Sequence, residues 1–480
     1  MAATKSLKKN VLTGLFWQYF QRIGAQTVSF VVSIILARLL LPADFGAIAL
    51  IGVFITICNI FIDSGLGNAL IQRKEIDELD KSTVFYVNLV VAVFLYGVLF
   101  VVAPSVARFY DSPILSPLLR VLSLQLIAMA LCCVQNAVLV REMRFKINFY
   151  VNICSVVLSA VVGISCAYNG LGAWSLVFSQ LSMQLVCVVG YWALVGWRPR
   201  LMFSMARLKT LFDYGSKILA GALMNVIYNN VYNLVIGKKY SATELGYYNR
   251  GQIIPTILVE NAANTINSVM FPALASIQDD KARFIGVVRK MVSTVAFIVF
   301  MLIGVLLPLS PAVISFLLTD RWLPAVPFMQ LVCITVCFTP FILINSAILT
   351  ALGESSKYLK AVTISKILSI SMIFAASFVN VYFMVGCGAL AAIMSVAIMG
   401  SWNNRLIGYS PVMFVKDILP SMAMAIATAS IVFCIASLEL NLILTILVGG
   451  LVGCAVFLLG AWLFKFKQLE ILKDIIKKKE

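Results

Sequence analysis

The sequence predicts an all-α integral membrane protein of about fourteen transmembrane helices, from its composition, the recurrence of long apolar runs and the placement of its basic residues. Of 480 residues, 61% are hydrophobic and 12% charged, and the mean hydropathy is +0.99; soluble domains carry about 25% charged residues. Apolar runs of about 20 residues, the length that crosses the hydrocarbon core, recur along the whole chain. Every gap between them is short, so no soluble domain is expected and length alone does not set the domain count.

The runs fall at 12–37, 45–69, 83–107, 115–140, 147–168, 173–196, 212–236, 246–274, 284–308, 323–352, 358–380, 385–404, 415–437 and 442–464. The first follows Lys5, Lys8 and Lys9, as a secretory signal would, but it is long, is interrupted by Arg22 and lacks a small-residue cleavage site. A retained helix is expected. Several runs exceed one perpendicular span and imply tilt or helical extensions.

A net charge of +17 would suggest nucleic acid if it formed one patch. Here the basic residues sit in short clusters between apolar runs, the pattern of cytoplasmic loops. With the N-terminus inside and the runs alternating, inside segments and the adjoining ends of the runs hold 28 of the 37 Lys and Arg, the outside ones hold seven, and Arg22 and Lys217 lie deeper within spans. The bias predicts an even count of helices with both termini cytoplasmic. Eleven Cys lie almost all within apolar runs and read as small buried hydrophobes, and the absence of His excludes His-based zinc sites and triads.

An internal repeat is also visible. Pro42-Ala43-Asp44-Phe45-Gly46 matches Ala242-Thr243-Glu244-Leu245-Gly246 at an offset of 200. Ala103–Ala107 resembles Leu309–Val313, Pro117–Leu119 pairs with Pro327–Met329, Asn136–Leu139 with Ser346–Leu349, and Gly170–Ala173 with Gly386–Ala389. Six helices per unit is an even number, so the units insert in the same orientation, as parallel repeats about an axis along the membrane normal. The expected division is an N-terminal six-helix lobe at 1–210, a C-terminal six-helix lobe at 211–410, and a further helix pair with a basic tail at 411–480.

Charges within a span are costly and mark functional sites by default. Arg22, Asp63, Lys217 and Glu260 are the four here. On the first run Gln18, Arg22 and Gln26 share one helical face, and on the second Thr56, Asn59 and Asp63 do. Lys217, Asn225, Tyr228, Asn229 and Tyr232 share a face on the seventh, and Arg250, Glu260, Asn261 and Asn264 on the eighth. The first and second runs are the repeat partners of the seventh and eighth, so the polar stripes hold corresponding positions, as a shared water-filled cavity would require. The alternative is interhelical hydrogen bonding within each lobe, and for Asp63 and Glu260 a structural ion pair with Arg22 or Lys217. No nucleotide-binding loop and no extramembrane catalytic segment is visible, so an enzyme is not expected.

At Ala37–Gly46 the sequence resembles the first inter-helix turn of Wzx-type polysaccharide flippases of the MOP superfamily, which also contains multidrug extruders and the peptidoglycan-precursor flippase. Further likenesses are Asp63-Ser64-Gly65-Leu66 followed by Ile71-Gln72-Arg73-Lys74, then Leu245–Arg250 and Phe271-Pro272-Ala273-Leu274. The pair of helices after residue 410 fits the fourteen-helix branch. The resemblance implies two six-helix lobes in a V around a cationic cavity, and alternating access in a bacterial inner membrane. It implies as substrate an undecaprenyl-pyrophosphate-linked oligosaccharide. On that reading Arg22, Lys217, Arg250, Gln18, Gln26, Asn225, Tyr228, Asn229, Asn261 and Asn264 face the substrate, and Asp63, Glu260 and Asn59 couple transport to Na⁺ or protons. Expected partners are the lipid-linked oligosaccharide, membrane lipids, and a polysaccharide polymerase with its chain-length regulator; no nucleic acid and no cofactor are expected. Two alternatives remain: a cation-coupled small-molecule antiporter of the same superfamily, and a non-transporting scaffold of a polysaccharide assembly complex.

Overall fold

A computed structural model describes residues 24–63, 66–73, 76–278, 280–438, 440–466 and 468–469. Among the described residues every regular element is helical. The helices are α1 (Gly24–Leu39), α2 (Pro42–Asp63), α3 (Leu66–Gln72), α4 (Glu78–Phe109), α5 (Leu115–Leu122), α6 (Leu124–Arg141), α7 (Phe145–Tyr168), α8 (Ala173–Leu194), α9 (Met205–Lys239) and α10 (Ala242–Ala275). They continue with α11 (Lys281–Leu318), a 3₁₀ turn at Asp320–Ala325, α12 (Val326–Val336), α13 (Thr339–Ala351), α14 (Ser355–Ala376), α15 (Val381–Ile407), α16 (Pro411–Ala436) and α17 (Leu442–Leu463). Among the described residues, eleven helices, some built from two consecutive elements, are long and apolar enough to cross a membrane. The chain forms two compact units, Met1–Gly246 and Tyr247–Glu480.

Two of the single apolar runs are each two helices. The run at 115–140 breaks at Ser123, whose hydroxyl donates to the Arg120 carbonyl at 2.9 Å. The run at 323–352 breaks at Cys337–Phe338, just before Pro340, which has no N–H to continue the ladder. At the repeat offset of 210 Ser123 corresponds to Cys333, so the second break comes about one helical turn later than the first. In each short leading helix the matched residues are fully buried: Leu118 and Leu119 in α5, Phe328 and Met329 in α12.

The repeat extends into backbone conformation. Met143 after α6 and Gly353 after α13 both adopt positive φ, 54° and 75°, and the buried serines Ser155 and Ser159 of α7 have counterparts in Ser365 and Ser369 of α14. One expected pairing fails. Gly170 and Gly172 form a turn at φ 75° and 52° before α8, whereas Gly386 and Gly388 lie inside α15. Gly386 is a packing glycine, its Cβ position 3.6 Å from Leu331. The true counterpart of the start of α8 at Ala173 is the start of α15 at Val381.

Within the N-terminal unit, the loops between helices gather at two ends. At one end Arg73 pairs with the buried Asp80 at 3.1 Å, and Arg207 reaches Asp77 at 3.4 Å and Asp80 at 3.8 Å. Arg141 donates to the carbonyls of Leu70 and Arg73. Asp77 and Asp80 cap the start of α4 with a reciprocal capping box. The Asp80 backbone N–H bound by Asp77, with Arg207 alongside, holds the Asp77 carboxyl below its ordinary range. Three of the basic clusters expected inside the cell therefore converge on one surface. The joint after α8 docks there too, through Trp197 Nε1 to Glu78 at 2.8 Å, Arg200 N to Ser82 and Ser204 N to Thr83.

At the opposite end the two repeated turns meet. The Leu41 N–H donates to Asp44 at 2.9 Å, and the Glu244 N–H to Ser241 at 3.1 Å, so each turn starts its helix with one half of a capping box. A Cβ on Gly46 would overlap the Ala242 carbonyl, and one on Gly246 would overlap the Pro42 carbonyl. The contact is reciprocal, as two-fold-related surfaces require. Lys238 joins the same end by bonding to Phe109 O and pairing with Asp111.

In the C-terminal unit the last two helices pack on α11 through small residues. Gly304 meets the Ala425 carbonyl, Gly449 meets Leu309, and Gly453 meets Val305 and Val432, the close approach by which helices associate in lipid. Arg289 of α11 grips Asp417 of α16 with two nitrogens, the shortest contact 2.7 Å, and Tyr409 donates to the same carboxylate at 3.0 Å.

Candidate functional site

Gln18 and Arg22 lie outside the described residues. Asp63, Lys217, Glu260 and Asn264 lie on α2, α9 and α10, with side chains outside the described set. Gln26 on α1 is half-buried. Asn225 and Asn229 on α9 are exposed and Tyr228 between them is half-buried; on α10 Arg250 is half-buried and Asn261 exposed. Asn261 donates back to the Ile257 carbonyl at 2.9 Å.

The N-terminal unit fixes the depth of two of these groups relative to one another. α2 and α9 run antiparallel and touch where Gly237 lets Leu50 approach its backbone. Asn59 stands nine residues along α2 from Leu50, and Tyr228 nine residues back along α9 from Gly237, so both lie roughly 13 Å from that contact. Asn59 Oδ1 is buried with no hydrogen-bond partner among the described residues. A buried amide oxygen left unpaired costs about 1–3 kcal/mol, so Asn59 is poised to accept from water, a cation or a ligand.

A second polar group was not foreseen from the sequence. α2, α3, α6, α7 and α8 enclose a cavity of about 370 Å³ in the N-terminal unit, with Asn136, Asn152, Gln184 and Tyr191 among its lining. The wall is hydrogen-bonded. Tyr191 donates its hydroxyl to Asn148 Oδ1, Asn152 donates to the same oxygen at 3.0 Å, and Asn148 donates to Asn136 Oδ1 at 3.4 Å. No charge marks these residues in the sequence, so they do not stand out as intramembrane ions do. Their signal is spacing: Asn148 and Asn152 are four apart, and Gln184 and Tyr191 seven apart, so each pair shares one helical face.

Comparison with known proteins places the architecture. Residues 35–327 match the family described as "Polysaccharide biosynthesis protein". The chain is 25% identical over 336 residues to the lipopolysaccharide biosynthesis protein WzxC of Escherichia coli, covering 68% of this chain and 67% of that one. It is 25% identical over 352 residues to the teichuronic acid biosynthesis protein TuaB of Bacillus subtilis, covering 73% of each. The fold superposes on the lipid II flippase MurJ in an inward closed conformation with a TM-score of 0.76 at 13% identity, over 95% of this chain and all of that one. Apolar helices, a fold shared with MurJ and a family match over residues 35–327 agree, and this multi-pass membrane protein belongs to the polysaccharide biosynthesis protein family.

Proposed function

We propose that the chain is a flippase that carries an undecaprenyl-pyrophosphate-linked oligosaccharide from the inner to the outer leaflet of a bacterial cytoplasmic membrane by alternating access. On this reading α1, α9 and α10 join the eleven apolar spans to make fourteen, with both termini cytoplasmic. The lobes are 1–210 and 211–410, with a helix pair and tail at 411–480.

The observation that carries the reading is the set of exposed amides on α9 and α10, Asn225, Asn229 and Asn261. Amides turned outward on a spanning helix are costly to set against hydrocarbon, so this face is read as lining water. An amide-lined aqueous face suits a cargo rich in hydroxyls and offers little to a lipophilic cation. Gln18, Gln26, Tyr228 and Asn264 extend that face, and Arg22, Lys217 and Arg250 supply charge for the pyrophosphate through charge-assisted hydrogen bonds. Asp63 and Glu260, with Asn59 and its unpaired oxygen, are the proposed seat of Na⁺ or proton coupling, since no nucleotide-binding motif is present.

The test is genetic. A strain lacking the protein should accumulate lipid-linked oligosaccharide on the cytoplasmic face and export none. Arg22→Ala should behave like the deletion at normal protein level, and Arg22→Lys should restore export only in part, because a point charge lacks the guanidinium fork. Full export by Arg22→Ala would remove Arg22 from the site, and export without the protein would overturn the function.

A further inference from the structure

The cavity of the N-terminal unit has a chemistry that selects its ligand. Its described lining sets Asn136, Asn152, Gln184 and Tyr191 among apolar and cysteine side chains, and none of the described lining residues is charged. Among the described residues the lining offers a pyrophosphate no cation and a cationic drug no carboxylate. The amides exclude a lipid tail, because burying their donors and acceptors against methylenes would leave them unpaired. Asn and Gln both donate and accept, as sugar hydroxyls do. At about 370 Å³ the cavity lies at the small end of ligand pockets, roughly 300–1,000 Å³, suited to one or two sugar rings.

The wall is also prearranged. Asn148 lies behind the lining, and its Oδ1 takes the Tyr191 hydroxyl and the Asn152 amide, which orients both. Asn148 in turn donates to Asn136 Oδ1, leaving the Asn136 NH₂ unspent among the described residues. Gln184 makes no hydrogen bond with the described residues although its side chain lines the cavity. In the same unit Gln135 is fully buried, and neither of its amide atoms has a partner among the described residues. Fixed acceptors on one side and uncommitted amide groups on the other present hydrogen bonds to a ligand.

We infer that this cavity is a neutral-sugar subsite, in which Asn136, Asn152 and Gln184 read the hydroxyl or N-acyl groups of one ring of the carried glycan while Asn148 and Tyr191 hold the wall in place. The inference rests on the flippase reading and adds a specificity site to it, separate from the charges proposed to hold the pyrophosphate.

Cys133 provides the readout, since it lines the cavity and is half-buried, whereas Cys154 and Cys434 are exposed elsewhere. The wild-type protein in liposomes is treated with a small maleimide, and alkylation of each Cys is followed by peptide mass spectrometry. N-acetylglucosamine, glucose, galactose and rhamnose are the neutral probes, and glucuronate and inorganic pyrophosphate the charged ones. At least one neutral sugar should slow alkylation of Cys133 while leaving Cys154 and Cys434 unchanged, and the charged probes should not. Gln184→Ala and Asn152→Ala, each removing hydrogen bonds worth about 1–1.5 kcal/mol, should each weaken that protection about tenfold. The inference is overturned if no neutral sugar protects Cys133, if pyrophosphate protects it equally, or if both variants keep full protection. Flipping of lipid-linked oligosaccharide by the same liposomes separates the two readings: flipping without sugar protection removes the subsite alone, and no flipping removes the function.

Discussion

In the N-terminal unit, Asn136, Asn148 and Asn152 stand on α6 and α7. At matching places 210 residues on, α13 and α14 carry Ser346, Tyr358 and Val362. The serines on the packing face, Ser155 and Ser159 against Ser365 and Ser369, recur unchanged. So does a buried amide, Gln135 against Asn345, but only Asn345 is paired, accepting from Asn403 at 2.7 Å. The C-terminal unit has its own cavity, about 150 Å³, walled by apolar side chains including Phe338, Val396 and Phe414. Residues that press one helix on another match between the repeats, and residues that face a cavity differ. One half lines its cavity with amides, and the other lines its cavity mainly with apolar side chains.

That comparison can be broken by substitution, because places where the repeat is symmetric should respond alike and places where it diverged should not. The largest effect is expected at the reciprocal turn contact. Gly46→Leu and Gly246→Leu should each cost about 3 kcal/mol, since the obstructing atoms are backbone carbonyls that cannot move aside. The double variant should cost less than the sum, because the two sites share one interface. Thermal unfolding in detergent checks this, with Gly221→Ala as a near-neutral control because nothing lies within 4 Å of its Cβ position. Unequal effects at Gly46 and Gly246 would deny the two-fold relation.

Asp417→Ala should come next, at about 2 kcal/mol, because it strips a buried carboxylate from Arg289 and Tyr409. The same assay reads it, and an unchanged midpoint would show that the grip of α16 on α11 rests on the glycine contacts alone. At the paired αL positions the signs should be opposite. Gly353→Ala should cost about 1 kcal/mol and Met143→Gly should gain up to about 1 kcal/mol, since a side chain at positive φ is strained. The smallest effect is expected from Tyr191→Phe, about 1 kcal/mol for one hydrogen bond. Its diagnostic is a loss of sugar protection at Cys133 larger than the change in stability.

The helical class, the apolar runs and the start of the repeat were legible because each rests on local chemistry: apolar length, basic loops and the turn at Pro42–Gly46 and Ala242–Gly246. The reciprocal contact of those turns was not, since equal motifs 200 residues apart carry no statement of whether they touch. The breaks at Ser123 and Cys337 were hidden because apolar composition runs through them. For the site, intramembrane charge marks Arg22, Asp63, Lys217 and Glu260 in the sequence, while the neutral amides Asn148, Asn152 and Gln184 carry no such mark. An Asn costs less to bury than an ion and stands out only when a cavity brings several helices together. Asp80 and Asp417 were likewise invisible as network centres, because their partners lie at other loops and helices.

The central claim is that this protein moves a glycan-bearing lipid across the bilayer. The most direct measurement reconstitutes the full chain into liposomes holding fluorescent undecaprenyl-pyrophosphate-linked oligosaccharide in both leaflets, then adds a membrane-impermeant quencher. With active protein the quenched fraction should rise from about half toward completion, faster under one imposed Na⁺, proton or voltage gradient, and Asp63→Asn with Glu260→Gln should blunt that gradient response. A quenched fraction that stays at the protein-free level under every gradient would contradict the account.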